Sequence, residues 1–179
     1  AKKRRVFRFS PTPSPFFAPV MNTLFDLGSY SIHVGDLNGM FPDWLRERDY
    51  SQVFILTDEN TRRDCLIPFL SASDLTASVV VAGIPSGEQH KTLSTCERVW
   101  QSMLEARLDR RALVINLGGG VVGDLGGFCA ATWKRGVDFV QVPTTLLAMT
   151  DAAIGGKLGV DFQSVKNTVG VFQNPAAVF

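Results

Sequence analysis

Apolar residues in this chain fall into short blocks whose spacing changes from one block to the next. Four continuous apolar runs, each followed by polar or glycine-rich residues, predict buried strands. These runs are SQVFILTDEN (51–60), ASVVVAGIP (77–85), ALVINLGGG (112–120) and VDFVQVPTTLL (137–147). A weaker alternation that begins at Tyr30, in YSIHVGDL, predicts another strand that pairs with a neighbour.

In the segments between these strands, the apolar residues have the spacing of helices. Shorter helices are predicted at 41–49, at 62–70 with a break near Pro68, and at 124–136. A longer amphipathic helix is predicted by the spacing of Leu93, Cys96, Val99, Trp100, Met103, Leu104 and Leu108. Strands that are apolar on both faces and alternate with helices are typical of a parallel sheet. We therefore predict an α/β fold with a Rossmann-like, mainly parallel sheet and helices on both faces.

Polar and glycine-rich segments follow the ends of the four predicted buried strands. They are TDEN (57–60), PSGEQHK (85–91), GGGVVGD (118–124) and PTTLL (143–147). Ligands of open α/β sheets bind outside the carboxyl ends of the strands. Because these four segments fall on the same edge of a parallel sheet, the sequence predicts a ligand site there.

The glycine run carries the most specific chemistry of the four segments. Gly118, Gly120 and Gly123 match G-x-G-x-x-G, which lets the backbone approach a pyrophosphate at the start of the next helix. The usual acidic residue at the end of the following strand is missing, because Asp138 begins that strand. The predicted site is thus Rossmann-like without the standard Rossmann order. Glycines that only allow close helix–strand packing are the alternative.

The other strand ends allow two interpretations each. Asp58 and Asn60 can bind ribose hydroxyls, or Asp58 can cap the next helix. Glu88 and Lys91 can flank an adenosine, or form an exposed ion pair on a loop.

The threonines after the fourth strand and the segment that follows also suggest an anionic ligand. Thr144 and Thr145 can reach a phosphate or begin the next helix. Residues 150–167 have little helical or strand periodicity and are predicted to be irregular. Polar side chains in this segment that suggest an anionic substrate are Asp151, Lys157, Lys166 and Asn167. A solvated loop is the alternative.

Composition and charge narrow the protein class. The 179 residues, 45% hydrophobic and 20% charged, suit one globular domain, and the longest apolar runs are too short to cross a membrane. Residues 1–20 carry five basic and no acidic residues, so the remainder has a net charge of −4. This mildly acidic remainder argues against nucleic-acid binding. We expect residues 1–20 to be a disordered or non-native leader.

The cysteines and histidines do not form a recognisable metal or disulfide pattern. Cys65, Cys96 and Cys129 are widely spaced, as expected of reduced thiols in a cytoplasmic protein. His33 and His90 lack a paired acidic–histidine spacing, so no metal site is predicted in this chain.

Residues 118–175, GGGVVGDLGGFCAATWKRGVDFVQVPTTLLAMTDAAIGGKLGVDFQSVKNTVGVFQNP, resemble the 3-dehydroquinate synthase family, as do PSGEQHKT and TDEN upstream. The likeness runs from about residue 50 to the last residue and more weakly back to Met21. It implies that residues 21–179 are the NAD-binding, N-terminal domain of a two-domain enzyme. The helical C-terminal domain, which in this family supplies a glutamate and two histidines to zinc or cobalt, is expected to be missing from the chain.

The resemblance also implies the reaction. A phosphate-eliminating lyase of the shikimate pathway converts 3-deoxy-D-arabino-heptulosonate 7-phosphate into 3-dehydroquinate and phosphate. NAD transiently oxidises the substrate and is regenerated before the aldol closure of the ring. The complete enzyme is expected to be a cytoplasmic homodimer with a small sugar-phosphate substrate and no nucleic-acid or membrane partner. The isolated fragment is expected to be inactive and to bind NAD weakly at most.

The resemblance assigns site residues by position. Those expected to bind NAD are Asp58, Asn60, Glu88, Lys91, Gly118, Gly119, Gly120, Val121, Asp124, Thr144, Thr145 and Leu147. Those expected to face the substrate or nicotinamide are Asp151, Lys157, Lys166 and Asn167. The chain departs from the family at Ala152 and Ala153, where serines are common, and at Leu158, where a threonine is common. Hydroxyl contacts at those positions are therefore lost.

Three competing interpretations stay open. Another cyclase of the same superfamily would act on sedoheptulose 7-phosphate or glucose 6-phosphate. A related iron-dependent polyol dehydrogenase shares the glycine run, but lacks the GGK…KN segment (155–167). A non-catalytic nucleotide-binding module is the third possibility.

Overall fold

A computed structural model describes residues 21–75 and 79–179 of the chain. The predicted leader, residues 1–20, lies outside the described residues. The strands within the described part are β1 (Thr23–Asp26), β2 (Ser31–Val34), β3 (Val53–Asp58), β4 (Val79–Ile84), β5 (Leu113–Gly118), β6 (Asp138–Pro143), β7 (Lys157–Phe162), β8 (Val165–Phe172) and β9 (Ala177–Val178). The helices are α1 (Leu37–Arg46), α2 (Glu59–Asp64), α3 (Leu66–Ser73), α4 (Leu93–Glu105) and α5 (Gly120–Thr132).

The described strands form a seven-stranded sheet and a separate hairpin. The order in the sheet is β1-β2-β9-β6-β5-β3-β4, in which β1 and β2 pair antiparallel and the other neighbours pair parallel. Strands β7 and β8 form the antiparallel hairpin. The predicted α/β fold with a mainly parallel sheet is confirmed.

Both faces of the sheet are buried, and successive residues of one strand serve opposite faces. Phe54 and Leu56 of β3 pack toward α4 and α5, in a cluster that also contains Met103 of α4. Val53 and Ile55 of the same strand belong to a second cluster that includes residues of α1 and α3. The continuous apolar runs of the sequence therefore arise from burial on two sides.

Local capping explains where two of the helices start. The Asp58 side chain accepts from the backbone N–H of Thr61 at 2.7 Å and, with the Thr61 hydroxyl, forms a capping box for α2. The Thr92 hydroxyl accepts from the backbone N–H of Thr95 at 3.3 Å and caps α4.

Three local predictions are wrong. The break in the 62–70 helix lies at Cys65; Pro68 is in the first turn of α3, where its missing N–H is not needed. Helix α5 begins at Gly120 rather than at Asp124, so the glycine run forms its first turn. Much of the segment predicted to be irregular forms β7 and the start of β8.

Two further findings bear on the general class of the chain. Over residues 21–75 and 79–179, none of the helices combines the length and the apolar character needed to cross a membrane. The three cysteines are free thiols, as the sequence predicts, and Cys96 and Cys129 are buried in the core as small apolar side chains.

Candidate functional site

The four polar segments converge at one edge of the sheet. The last residue of β3, Asp58, is paired with the last residue of β4, Ile84. The last residue of β5, Gly118, is paired with Pro143 of β6, and the backbone N–H of Thr144 donates to the Gly118 carbonyl at 3.0 Å. The predicted convergence is therefore present in the structure. Asp138 lies at the opposite edge, where the Tyr50 hydroxyl donates to its carboxylate at 2.9 Å.

The start of α5 presents backbone N–H groups at this edge. Gly119 is the residue that precedes the helix, and it provides no side chain to cap the first turn. The first turn also holds no acidic side chain. Its N–H groups and the positive end of the helix dipole are thus available to an anion.

Among the glycines from Gly118 to Gly126, some are required by the packing of the fold and one is not. A Cβ at Gly118 would lie 2.6 Å from Cβ of Val122, and a Cβ at Gly126 would lie 2.8 Å from Cδ2 of Leu56, so the fold itself requires both glycines. A Cβ at Gly120 would make only an ordinary contact, 3.4 Å from Cβ of Ala152. Packing therefore explains part of the glycine run, but not Gly120 at the helix start.

Asp58 and Asn60 lie at the end of β3 and the start of α2. Asp58 is half-buried and caps α2, which is the helix-capping alternative predicted from the sequence. Asn60 is exposed.

Lys91 is far less accessible than an ion pair on a loop would be. The residue is 3% exposed, and its Nζ lies 3.3 Å from Oε1 of Glu88 and 3.3 Å from Oδ2 of Asp124. Nζ also donates to Oδ1 of Asn167 at 2.7 Å. The ammonium thus joins residues expected at the nucleotide to a residue expected at the substrate. The interpretation of Lys91 and Glu88 as an exposed pair is wrong.

The environment of this ammonium also changes the acidity of Asp124. Burial raises the pKa of the Asp124 carboxyl above its ordinary value, and the nearby Lys91 ammonium opposes this effect only in part. At the rim, Lys157 Nζ donates to Oδ1 of Asp151 at 2.7 Å, and this hydrogen bond raises the pKa of Lys157.

A cavity of about 450 Å³ lies between α5 and the β7–β8 hairpin. Its polar lining includes Asp124, Asp151, Lys157, Asn167 and Thr168. Three of the four residues predicted to face the substrate are thereby brought to one cavity. The fourth, Lys166, lies outside this lining, and its Nζ is 3.3 Å from Oε1 of Glu88 on the surface.

The residues after β6 lie next to the glycine turn. The Thr145 hydroxyl accepts from the backbone N–H of Ala148 at 3.3 Å, and a Cβ at Gly119 would lie 3.2 Å from its methyl group. Leu147 is 71% exposed at the beginning of a widened helical turn, Ala148–Ala152. Thr145 therefore begins a helical turn, and both threonines border the glycine run.

The histidines do not contribute to a metal centre among residues 21–75 and 79–179. In that part of the chain no group of three or more His, Cys, Asp or Glu side chains is arranged to hold a metal ion. His33 stacks on Phe179, with 4.4 Å between ring centroids, and burial lowers the pKa of His33. His90 ends a single helical turn, Glu88–His90.

Residues 81–179 match the family model described as 3-dehydroquinate synthase N-terminal. The chain is 42% identical over 155 residues to 3-dehydroquinate synthase of Pseudomonas fluorescens (strain SBW25), a match that covers 86% of this chain and 42% of the relative. It is 55% identical over 102 residues to 3-dehydroquinate synthase of Halorhodospira halophila, which covers 57% of this chain and 29% of the relative. The chain thus spans less than half the length of these relatives.

Solved structures with the same fold carry nucleotides and metals. ValA, a 2-epi-5-epi-valiolone synthase from Streptomyces hygroscopicus with NAD+ and Zn2+ bound, is 26% identical with a TM-score of 0.69 over 96% of this chain and 44% of that one. A 2-deoxy-scyllo-inosose synthase complexed with carbaglucose-6-phosphate, NAD+ and Co2+ is 24% identical with a TM-score of 0.79, covering 89% of this chain and 44% of that one. The second likeness shows the fold alone.

Proposed function

Since the chain belongs to the 3-dehydroquinate synthase family, we propose that it is the NAD-binding part of an enzyme that makes 3-dehydroquinate. The substrate is 3-deoxy-D-arabino-heptulosonate 7-phosphate, and inorganic phosphate is the second product. The observation that carries the proposal is the uncapped start of α5 next to a cavity lined by Lys157 and Asn167. Residues 21–179 then form the nucleotide-binding domain, and the enzyme acts in the cytoplasm within the shikimate pathway.

The edge of the sheet fits a dinucleotide. The N–H groups of Gly120 and Val121 would hold the pyrophosphate, because the helix dipole and the free donors both favour an anion there. Asp58 and Asn60 are placed at the adenosine ribose, with Thr144, Thr145 and Leu147 on the other side of the glycine turn. Bound NAD+ supplies a reversible hydride acceptor.

The cavity fits the anionic part of a sugar phosphate. Lys157 is a cation on the cavity lining, and its ion-pair partner is Asp151, which is also exposed. A substrate phosphate or carboxylate can replace Asp151 at this ammonium at small cost, because exposed ion pairs contribute about 0–1 kcal/mol. Asn167 offers a polar group on the same lining, and Lys166 adds positive charge nearby.

The metal of the related enzymes does not fit the described residues of this chain, which lack a suitable cluster of ligands. We place its ligands in the part of the longer relatives that this chain does not match, and we expect the complete enzyme to be a homodimer.

Other sugar-phosphate cyclases are the second candidate, because their solved structures share the fold. Sequence identity favours the dehydroquinate branch: the two relatives of that name described above are 42% and 55% identical, whereas the two cyclases in the solved structures are 24% and 26% identical.

An assay of phosphate release by the complete product of the gene tests this proposal. We expect NAD+-dependent release from 3-deoxy-D-arabino-heptulosonate 7-phosphate and none from sedoheptulose 7-phosphate or glucose 6-phosphate. Faster release from either of the latter two would contradict the assigned substrate. The 179-residue chain alone is the control and is expected to release no phosphate.

A further inference from the structure

The β7–β8 hairpin is attached to the rest of the molecule beside Lys91. Asp161 of β7 forms an isolated parallel bridge with Thr92, and its backbone N–H donates to the Lys91 carbonyl at 2.8 Å. Residues on this hairpin line the cavity, among them Lys157 and Asn167. The position of these side chains therefore depends on how the hairpin is held at Asp161.

The Asp161 carboxylate also fixes the backbone of Asn167. Its Oδ1 accepts from the Asn167 N–H at 2.9 Å, and the Asp161 side chain is only 16% exposed. Asn167 has a φ of 52°, in the left-handed region that residues other than glycine seldom adopt. The hydrogen bond to Asp161 stabilises this backbone, and the backbone aims the Asn167 side chain at Lys91.

The same carboxylate contributes to the charge balance around Lys91. Asp161 Oδ1 lies 3.9 Å from Lys91 Nζ, and Asn167 Oδ1 accepts from that Nζ at 2.7 Å. A buried ammonium is stable only when its protons and charge are matched. Asp161 acts on this ammonium chiefly through Asn167, because its own carboxylate is the more distant of the two groups.

We infer that Asp161 is a positioning residue that holds Asn167 and Lys91 in place, so that the hairpin faces α5 in one arrangement. Asp161 was not among the residues predicted from the sequence. The inference rests on the proposed function, because the arrangement matters for the cavity in which the sugar phosphate is placed. Asp161 itself needs no contact with that substrate.

Nuclear magnetic resonance of the chain labelled with 15N-lysine tests the structural step without any ligand. Lys91 is buried, so its ammonium protons exchange slowly enough to give a signal, which Lys91→Met assigns by its disappearance. We expect Asp161→Ala to abolish the signal. Asp161→Asn keeps an oxygen acceptor for the Asn167 N–H and should retain it. An unchanged signal in Asp161→Ala would overturn the inference.

Asp109 provides a matched control for this experiment. Its carboxylate also accepts a backbone N–H in a turn, that of Arg111 at 2.8 Å, but next to the start of β5, away from the strand ends that form the site. Asp109→Ala should retain the Lys91 signal. Loss of the signal in Asp109→Ala as well would show a general effect of unfolding and overturn a specific role for Asp161.

Kinetics of the complete gene product test the functional step. We expect Asp161→Ala to lower kcat/KM for the sugar phosphate roughly tenfold, as for loss of one hydrogen bond to a charged group. Asp161→Asn should restore most of the loss. Equal losses in both variants, or none, would contradict the positioning role. An inactive parent would instead contradict the proposed function, and the lysine signal would still decide the role of Asp161.

Discussion

The buried ammonium of Lys91 lies within 3.3 Å of two carboxylates, those of Glu88 and Asp124. At the scale of single residues, three carboxylates therefore surround one ammonium, because Asp161 Oδ1 also lies 3.9 Å from Lys91 Nζ. Asp124 is the member for which burial outweighs the attraction of the ammonium, and its pKa is raised as a result. Ionising the Asp124 carboxyl therefore costs more free energy in the folded state than in the unfolded state.

We predict a pH-dependent difference between the parent chain and Asp124→Asn. A carboxyl whose pKa is raised on folding stabilises the folded state below its unfolded pKa, and this stability is lost as the pH rises through the folded pKa. The free energy of unfolding of Asp124→Asn minus that of the parent should therefore increase as the pH rises above the unfolded pKa of about 4. Urea unfolding at a series of pH values measures it.

Asp109→Asn is the control, for which we expect the opposite trend with pH. The hydrogen bond from Ser51 is the largest cause of a lowered pKa at Asp109, so its ionised form stabilises the folded state above the unfolded pKa. The difference from the parent should therefore decrease as the pH rises. The same trend in both variants would contradict our assignment for Asp124.

At the scale of elements, helix α5 lies close to the sheet because of its glycines. Gly126 leaves room for Asn116 of β5, whose buried side-chain amide has no hydrogen-bond partner within the described residues. Gly123 similarly approaches Gln141 of β6, whose Nε2 donates to the Gly123 carbonyl at 3.1 Å. This close packing places the uncapped end of α5 directly at the carboxyl edge of the sheet.

We predict that alanine at two glycines of α5 separates packing from binding. Gly126→Ala overpacks the contact with Asn116 and Leu56 and should lower the free energy of unfolding by about 1–3 kcal/mol. Gly120→Ala makes only an ordinary contact with Ala152 and should change it by less than about 1 kcal/mol. Thermal unfolding measures both. Strong destabilisation by Gly120→Ala would show that the fold, and not a ligand, requires that glycine.

The sequence predicts the elements of the parallel sheet because each buried strand leaves a continuous apolar run. The sequence does not predict the β7–β8 hairpin, because Gly159 and Gly170 face each other across it and interrupt the alternation of apolar and polar side chains. A Cβ at Gly159 would lie 2.8 Å from the Val169 carbonyl oxygen, so the strands approach too closely for side chains there. The first turn of α5 is not predicted either, because glycine has low helix propensity.

At the scale of the whole molecule, the sheet edge could be predicted, but the arrangement around Lys91 could not. The four strand ends share an edge as a consequence of parallel topology. The partners of Lys91 are 33 and 76 residues away in the chain, at Asp124 and Asn167, and no local pattern records such contacts. The chain belongs to the 3-dehydroquinate synthase family, and we propose that a dinucleotide binds at this edge of the sheet.

Calorimetric titration of the chain with NAD+ tests this claim most directly, with Gly120→Ala as the matched variant. We predict weak, saturable binding to the parent chain and binding at least about tenfold weaker to Gly120→Ala, because its methyl group occupies space at the helix start where the pyrophosphate is placed. No binding to the parent, or equal binding to both proteins, would contradict the placement of NAD+ at the start of α5.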